Sequence, residues 1–264
     1  MGNAGTGTAK PARSASALVA MFLLAGCTAA PTSTYVDSHG SQVTVDWRDY
    51  PGHASTDAEE VLSAPTQEET EPLAKALLDE VESALSSEYG MEWKTDGEAG
   101  WFPEGGNGYG GESAYLIYNS AGRRSDSAPR SPQDWRRIID IVDGVAGLHG
   151  FDAVKLDHES SPNGDEEAWQ QELHDQFGTD DPDEYWAWNG TALAESQWLY
   201  INLVDASRDP SGKAAAEVQE FNWAPQSIGL GYGATVLPKN SIEAFRRDLA
   251  PFAGLEKPEP TTSD

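Results

Sequence analysis

The sequence predicts an α+β fold: a two-layer sandwich with a mainly antiparallel sheet and helices packed on one sheet face. Three observations predict it. Two long stretches carry apolar residues at helical spacing, several short runs alternate with period two, and helices and strands are mixed without a strict βα repeat. The predicted domain spans residues 59–253, preceded by a flexible tether over 27–58 and followed by a disordered Pro-rich tail over 254–264. A stretch of that length supports one domain with its own core, and no internal repeat divides it.

Each element has its own local reason. Residues 28–58 are rich in Thr, Ser, Pro and Gly, which reads as a tether, although 42–47 alternate like a short strand. Leu73, Leu77, Val81 and Ala84 place the first helix at 68–87, closed by Gly90, with a short strand at 91–94. A glycine-dense loop runs from Trp101 to Gly111, and a strand follows at 113–119. Ser131-Pro132-Gln133-Asp134 is a helix start, with Ser as N-cap and Pro in the first turn. Trp135, Ile138, Ile139, Val142 and Ala146 then form one stripe, which Gly150 ends, and a strand follows at 152–158.

Trp169, Leu173 and Phe177 mark a helix at 165–177 closed by Gly178, and residues 180–190 form an acidic, aromatic excursion. Strands follow at 196–205 and 228–237. A last helix starts at Ser241 and carries Phe245, Leu249 and Phe252.

Alternation sorts two of these strands into faces. Leu199, Ile201 and Leu203 belong under the helices, which leaves Trp198, Tyr200 and Asn202 on the other side. In the strand at 228–237 the apolar side carries Ile228, Leu230, Tyr232 and Ala234, and the other side is Gly229, Gly231 and Gly233. Such a glycine row weakens a strand unless something packs on its backbone. Either Trp198 and Tyr200 lie across the glycines and cover them, the commoner use of cross-strand aromatics, or they flank a shallow groove suited to a sugar ring or an extended peptide.

Composition bounds the partners. The chain carries 17 basic and 44 acidic residues, a net charge of −27. Such a balance repels nucleic acid and excludes it as a partner. Residues 159–167 place Glu159, Ser161, Asn163 and Asp165 at alternate positions around Gly164, as a calcium loop does. The match is partial, since position twelve is Gln170 and no helix leads in; the alternative is an acidic turn capping the next helix. Asp180, Asp181, Asp183 and Glu184 form a second acidic cluster. The glycine loop lacks the Lys-Ser/Thr of a phosphate loop and is flanked by Glu104 and Glu112, so its role is conformational. Of five histidines, His39 and His53 lie in the tether, His149 and His174 sit at helix surfaces, and His158 shares a face with Val154 and Leu156. No H-E-x-x-H or G-x-S-x-G pattern appears, and no catalytic residue is assigned.

The N-terminus is the most specific signal. Lys10 and Arg13 precede an apolar run from Ala15 to Ala25, and Leu24-Ala25-Gly26 leads into Cys27, the one cysteine of the chain. The stretch resembles the lipobox of bacterial lipoproteins. That resemblance implies a signal peptide over 1–26 and a palmitate-type diacylglyceryl anchor on Cys27, with the domain on the outer face of the cell membrane. Cleavage there removes two basic residues and no acidic one, which takes the net charge from −27 to −29. The alternatives are a plain secretory signal, the N-myristoylation pattern at Met1-Gly2, or a membrane span, for which about 11 residues fall short of roughly 20.

Glu92-Trp93, Asn107-Gly108-Tyr109-Gly110, Ser120, Trp135 and His149-Gly150-Phe151 together resemble LppA-like actinobacterial lipoproteins and related families of unknown function, over residues 60–205. The resemblance implies a surface-anchored domain and assigns no catalytic residue. Some members of that family carry a cysteine pair in the domain, for which this chain has no counterpart. The expectation is a lipid-anchored, non-enzymatic envelope protein that binds a cell-wall component or envelope protein through exposed aromatics such as Trp186, Trp188 or Trp198. The alternatives are an envelope glycan hydrolase with acids near 101–112 or 180–184, and a calcium-stabilised structural domain.

Overall fold

The computed structural model describes residues 30–261 apart from 38, 221 and 222, so the predicted signal and Cys27 lie outside the described residues. The alternating Thr, Tyr and Val residues of the expected tether form an antiparallel hairpin, β1 (Thr32–Val36) and β2 (Gln42–Asp46). Beyond it Trp47 and Tyr50 are buried. The rest follows as α1 (Ala58–Ser63), α2 (Gln67–Tyr89), β3 (Lys94–Asp96), β4 (Gly100–Pro103), β5 (Leu116–Asn119), β6 (Gly122–Ser125), α3 (Pro132–Leu148) and β7 (Lys155–Leu156). Then come α4 (Glu166–Phe177), β8 (Ala187–Ala194), β9 (Gln197–Asp205), α5 (Lys213–Glu220), β10 (Gln226–Val236) and α6 (Ile242–Leu249).

The main sheet is antiparallel in every pairing, in the order β3-β6-β10-β9-β8-β7. Strand β5 pairs with the C-terminal half of β10 and carries β4 outside it. Thus β5 and β6 share one edge of β10, and Ser120 bridges the break. Its hydroxyl accepts the Tyr232 N–H at 3.0 Å and its own N–H donates to the Tyr232 carbonyl at 2.8 Å.

Helices α2 and α3 cover one sheet face. Leu77, Leu78, Val81 and Leu85 of α2 and Trp135, Ile138 and Val142 of α3 pack in one core with Leu199, Ile201, Leu203, Leu230 and Ala234. Each such side chain contributes about 1.5–3 kcal/mol of transfer free energy on burial. The ends of these helices are specified locally. The Glu69 carboxylate accepts the Thr66 N–H at 3.0 Å, and Gly90 closes α2 at φ 66°. In α3 the Ser131 hydroxyl accepts the Asp134 N–H at 3.0 Å. The α+β sandwich with helices on one sheet face is therefore what the chain adopts.

Four expectations need correction. Residues 30–58 are not a free tether, because Trp47 and Tyr50 join Tyr109 and Phe252 in a second apolar cluster. Residues 254–261 are not a disordered tail. Lys257 Nζ donates to the carbonyls of His53, Ala54 and Thr56 at 3.2, 3.4 and 2.6 Å, and lies 5.3 Å from the Tyr50 ring centre. Beyond it the Pro258 carbonyl accepts the Tyr109 hydroxyl, and the Thr261 N–H donates to Gly108. The strand expected at 152–158 shrinks to β7, because Asp143 takes the Val154 N–H at 2.6 Å and residues 157–159 turn into a 3-10 helix. Finally, the excursion at 180–190 ends inside β8, whose inward positions Trp188, Gly190 and Ala192 complete the core sheet.

Candidate functional site

The face of the sheet away from α2 and α3 carries Trp198, Tyr200 and Asn202 from β9 beside Gly229, Gly231 and Gly233 of β10. Register pairs Gly233 with Trp198, Gly231 with Tyr200 and Gly229 with Asn202. The rings lie on the glycines. A Cβ built on Gly231 falls 2.4 Å from the Tyr200 ring, and one on Gly233 falls 2.2 Å from the indole of Trp198. Covering the glycine backbone, the packing alternative, is therefore what these rings do, and no open glycine groove remains under them. Both rings stay partly exposed: Tyr200 is 44 % exposed and Trp198 half-buried.

Their neighbours extend the surface. Leu193 lies opposite Trp198 in β8 and is exposed, as is Phe102, whose ring folds back over Gly100. Toward the other end of the face Asn202 donates through Nδ2 to Oδ1 of Asn189 at 2.6 Å across the β8–β9 ladder. Exposed aromatics and paired amides thus share one face of the central strands.

At one end of this face a cavity of about 330 Å³ opens between the sheet and α5. Trp186, Tyr200 and Trp223 wall it, and Asp96, Arg124 and Glu217 are its charged lining. The Arg124 guanidinium stands 5.5 Å over the Trp223 ring, with Nε 3.1 Å from Asp126 and Nη1 3.9 Å from Asp96. Burial of the Tyr200 hydroxyl pushes its pKa up, and the Asp96 charge adds to the shift. The Trp186 Nε1–H is shielded from solvent and has no hydrogen-bond partner among the described residues.

Three larger cavities offer less; in one of about 400 Å³ the charged pair Lys94 and Asp126 is already matched. That of about 540 Å³ beside Trp47 and Phe252 is bounded by Lys257, whose ammonium is already spent on three carbonyls. That of about 480 Å³ beside His158 is bounded by Arg136, which pairs with Asp183 and stands 5.7 Å over Trp188. There His158 meets Tyr185 edge-on at 5.6 Å, and burial holds its imidazole pKa below the ordinary value.

The acidic loop at 159–167 is folded as a helix entry. Asp165 caps the Ala168 N–H at 3.1 Å, Asn163 Oδ1 accepts from the Ser161 hydroxyl at 2.7 Å and the Asp165 N–H at 3.1 Å, and Glu159 accepts the Leu156 N–H at 3.3 Å. Among the described residues no group of three or more His, Cys, Asp or Glu is placed to hold a metal ion. The second acidic cluster is likewise engaged: Asp180 pairs with His174, Asp183 with Arg136, and Glu184 accepts the Thr179 hydroxyl. Trp188, expected as an exposed anchor, faces the core and is 2 % exposed, because inward and outward positions of β8 alternate from Ala187 onward.

The arrangement defines an α+β domain with one helix-covered sheet face and one open aromatic face. No protein-family model matches the chain, and no curated protein or solved structure matches it. Sequence reasoning missed Trp223, Arg124 and Asp96, which come from distant segments; the pairing of β3 with β6 brings the last two together. Trp186 was already among the aromatics expected to be exposed.

Proposed function

We propose that the protein is a lipid-anchored envelope protein of the LppA-like kind, held at the outer face of the membrane through Cys27, that binds a neutral or cationic cell-wall glycan on the open sheet face. The observation that carries the binding reading is the pair of Trp198 and Tyr200 rings, which pack against Gly233 and Gly231 and stay partly exposed. Planar aromatic faces with amides beside them suit sugar rings, which present apolar faces and polar edges. Strand addition by a peptide is disfavoured there, since β9 and β10 are central and their ladder groups are already paired. The net charge of −27 turns away polyanions.

Thermal unfolding of the full chain in detergent, with single cell-wall oligosaccharides added, tests the binding. A ligand at 100 times its dissociation constant adds about 2.7 kcal/mol, or roughly 5–10 °C for a domain of this size. Trp198→Ala should abolish the shift; a shift that survives it rules out this face. Anchoring is tested by Cys27→Ser, which should move the protein from the membrane fraction to the soluble one.

A further inference from the structure

We propose that the cavity walled by Trp186, Tyr200 and Trp223 is a subsite for an organic ammonium group carried by the glycan on the adjoining face. The inference rests on the glycan reading above and names the chemistry that would select among glycans. Two observations carry it. First, the walls are aromatic, and aromatic faces attract cations through the ring quadrupole. The protein already seats one cation on this wall, the Arg124 guanidinium 5.5 Å over Trp223. That leaves Tyr200 and Trp186 for a second cation.

Second, the charged lining favours a cation. Arg124 pairs with Asp96 at 3.9 Å and with Asp126 at 3.1 Å, which Lys94 also engages, whereas Glu217 on α5 has no ion-pair partner among the described residues. An anionic substituent would meet two carboxylates and a chain of net charge −27. A volume of about 330 Å³ holds one sugar ring.

The test is tryptophan-fluorescence titration of the full chain in detergent at pH 6. The probes are a β-1,4-linked glucosamine hexamer with free amines and its fully N-acetylated counterpart. The free-amine hexamer should bind at least about tenfold tighter, as expected for a partly desolvated cation–π contact reinforced by carboxylates. Asp96→Asn with Glu217→Gln should bring the two affinities together, while Trp198→Ala weakens both hexamers alike. Equal affinities for the native chain overturn the ammonium subsite and leave the glycan reading standing. So does a preference lost just as far in Glu243→Gln with Asp248→Asn, remote on α6, since that loss reports general charge attraction. Binding of neither hexamer removes the subsite together with the glycan reading on which it rests.

Discussion

Two regions of this molecule are built from the same materials, aromatic rings and glycines, and end up opposite in character. In the cluster of Trp47, Tyr50, Tyr109 and Phe252, ring centres lie 5.1–6.2 Å apart and every ring is buried. Asn107 ties it together. Its Nδ2 donates to the carbonyls of Trp47, Arg48 and Tyr50 at 2.9–3.0 Å, and its Oδ1 accepts the Tyr109 and Gly111 N–H groups at 2.8 and 3.0 Å. On the open sheet face the rings cover glycines and stay partly exposed. The difference lies in what else reaches the rings. Segments near both ends of the described chain converge on the first cluster, whereas α5 reaches one end of the second.

The largest test of that contrast compares two glycines. An added Cβ at Gly111 falls 1.9 Å from the Arg48 carbonyl oxygen, backbone that the Asn107 network holds in place. At Gly231 it meets the Tyr200 side chain, which is 44 % exposed, rather than backbone. Chemical denaturation should show Gly111→Ala costing about 3 kcal/mol or more, and Gly231→Ala about 1 kcal/mol. Equal costs would mean that the sheet face is packed as tightly as the closed cluster.

Asparagines sharpen it next. Asn107→Ala strands buried carbonyl and N–H groups and should cost about 2–3 kcal/mol. Asn202→Ala loses one half-exposed bond to Asn189 and should change stability by no more than about 0.5 kcal/mol, while weakening glycan binding. A binding loss without a stability loss is the signature of the open face.

Lys257→Met comes third, at about 1–2 kcal/mol, because it removes donors to three carbonyls while keeping much of the apolar stem. Limited proteolysis near residue 257 should accelerate in this variant, and an unchanged rate would show that Lys257 does not hold the strap.

The last test vanishes at neutral pH. Burial pushes the Tyr50 pKa up to about 12 from the ordinary value near 10, with the Tyr109 and Asp57 charges adding to it. The neutral phenol is therefore favoured by folding. Its contribution is complete below pH 10 and is lost as pH rises from about 10 toward 12. Tyr50→Phe should flatten that part of the alkaline limb in a stability-versus-pH series and leave pH 7 nearly unchanged.

Where the sequence was legible, a local rule and the tertiary packing agreed. Ser131 caps α3 and the stripe from Trp135 to Ala146 is buried, because a helix needs its N-terminal donors satisfied and one apolar face covered. The alternation of Leu199, Ile201 and Leu203 against Trp198, Tyr200 and Asn202 assigned both faces of β9 correctly. Strand β8 was missed because its inward positions include Gly190 and Ala192, small residues that leave a weak alternation signal. A Cβ at Gly190 would fall 2.6 Å from Val154, so smallness there answers to a neighbour supplied by another segment. The hairpin β1–β2 looked like a tether for a similar reason. Its Ser- and Thr-rich composition is common in linkers, and its order depends on residues some two hundred positions away.

By itself, then, the sequence determined the layer architecture, the two main helices with their caps, the two-sided character of β9 and β10, and the net acidity of the chain. All of these follow from spacing, end chemistry and charge, which neighbouring residues carry. Only the tertiary structure decided that the two ends of the described chain fold back over Trp47 and Tyr50, that Trp198 and Tyr200 fill the glycine row, and that Trp186, Tyr200 and Trp223 surround one cavity. Those outcomes depend on which distant surfaces meet, and covering apolar area is rewarded in proportion to area whatever segment supplies the cover.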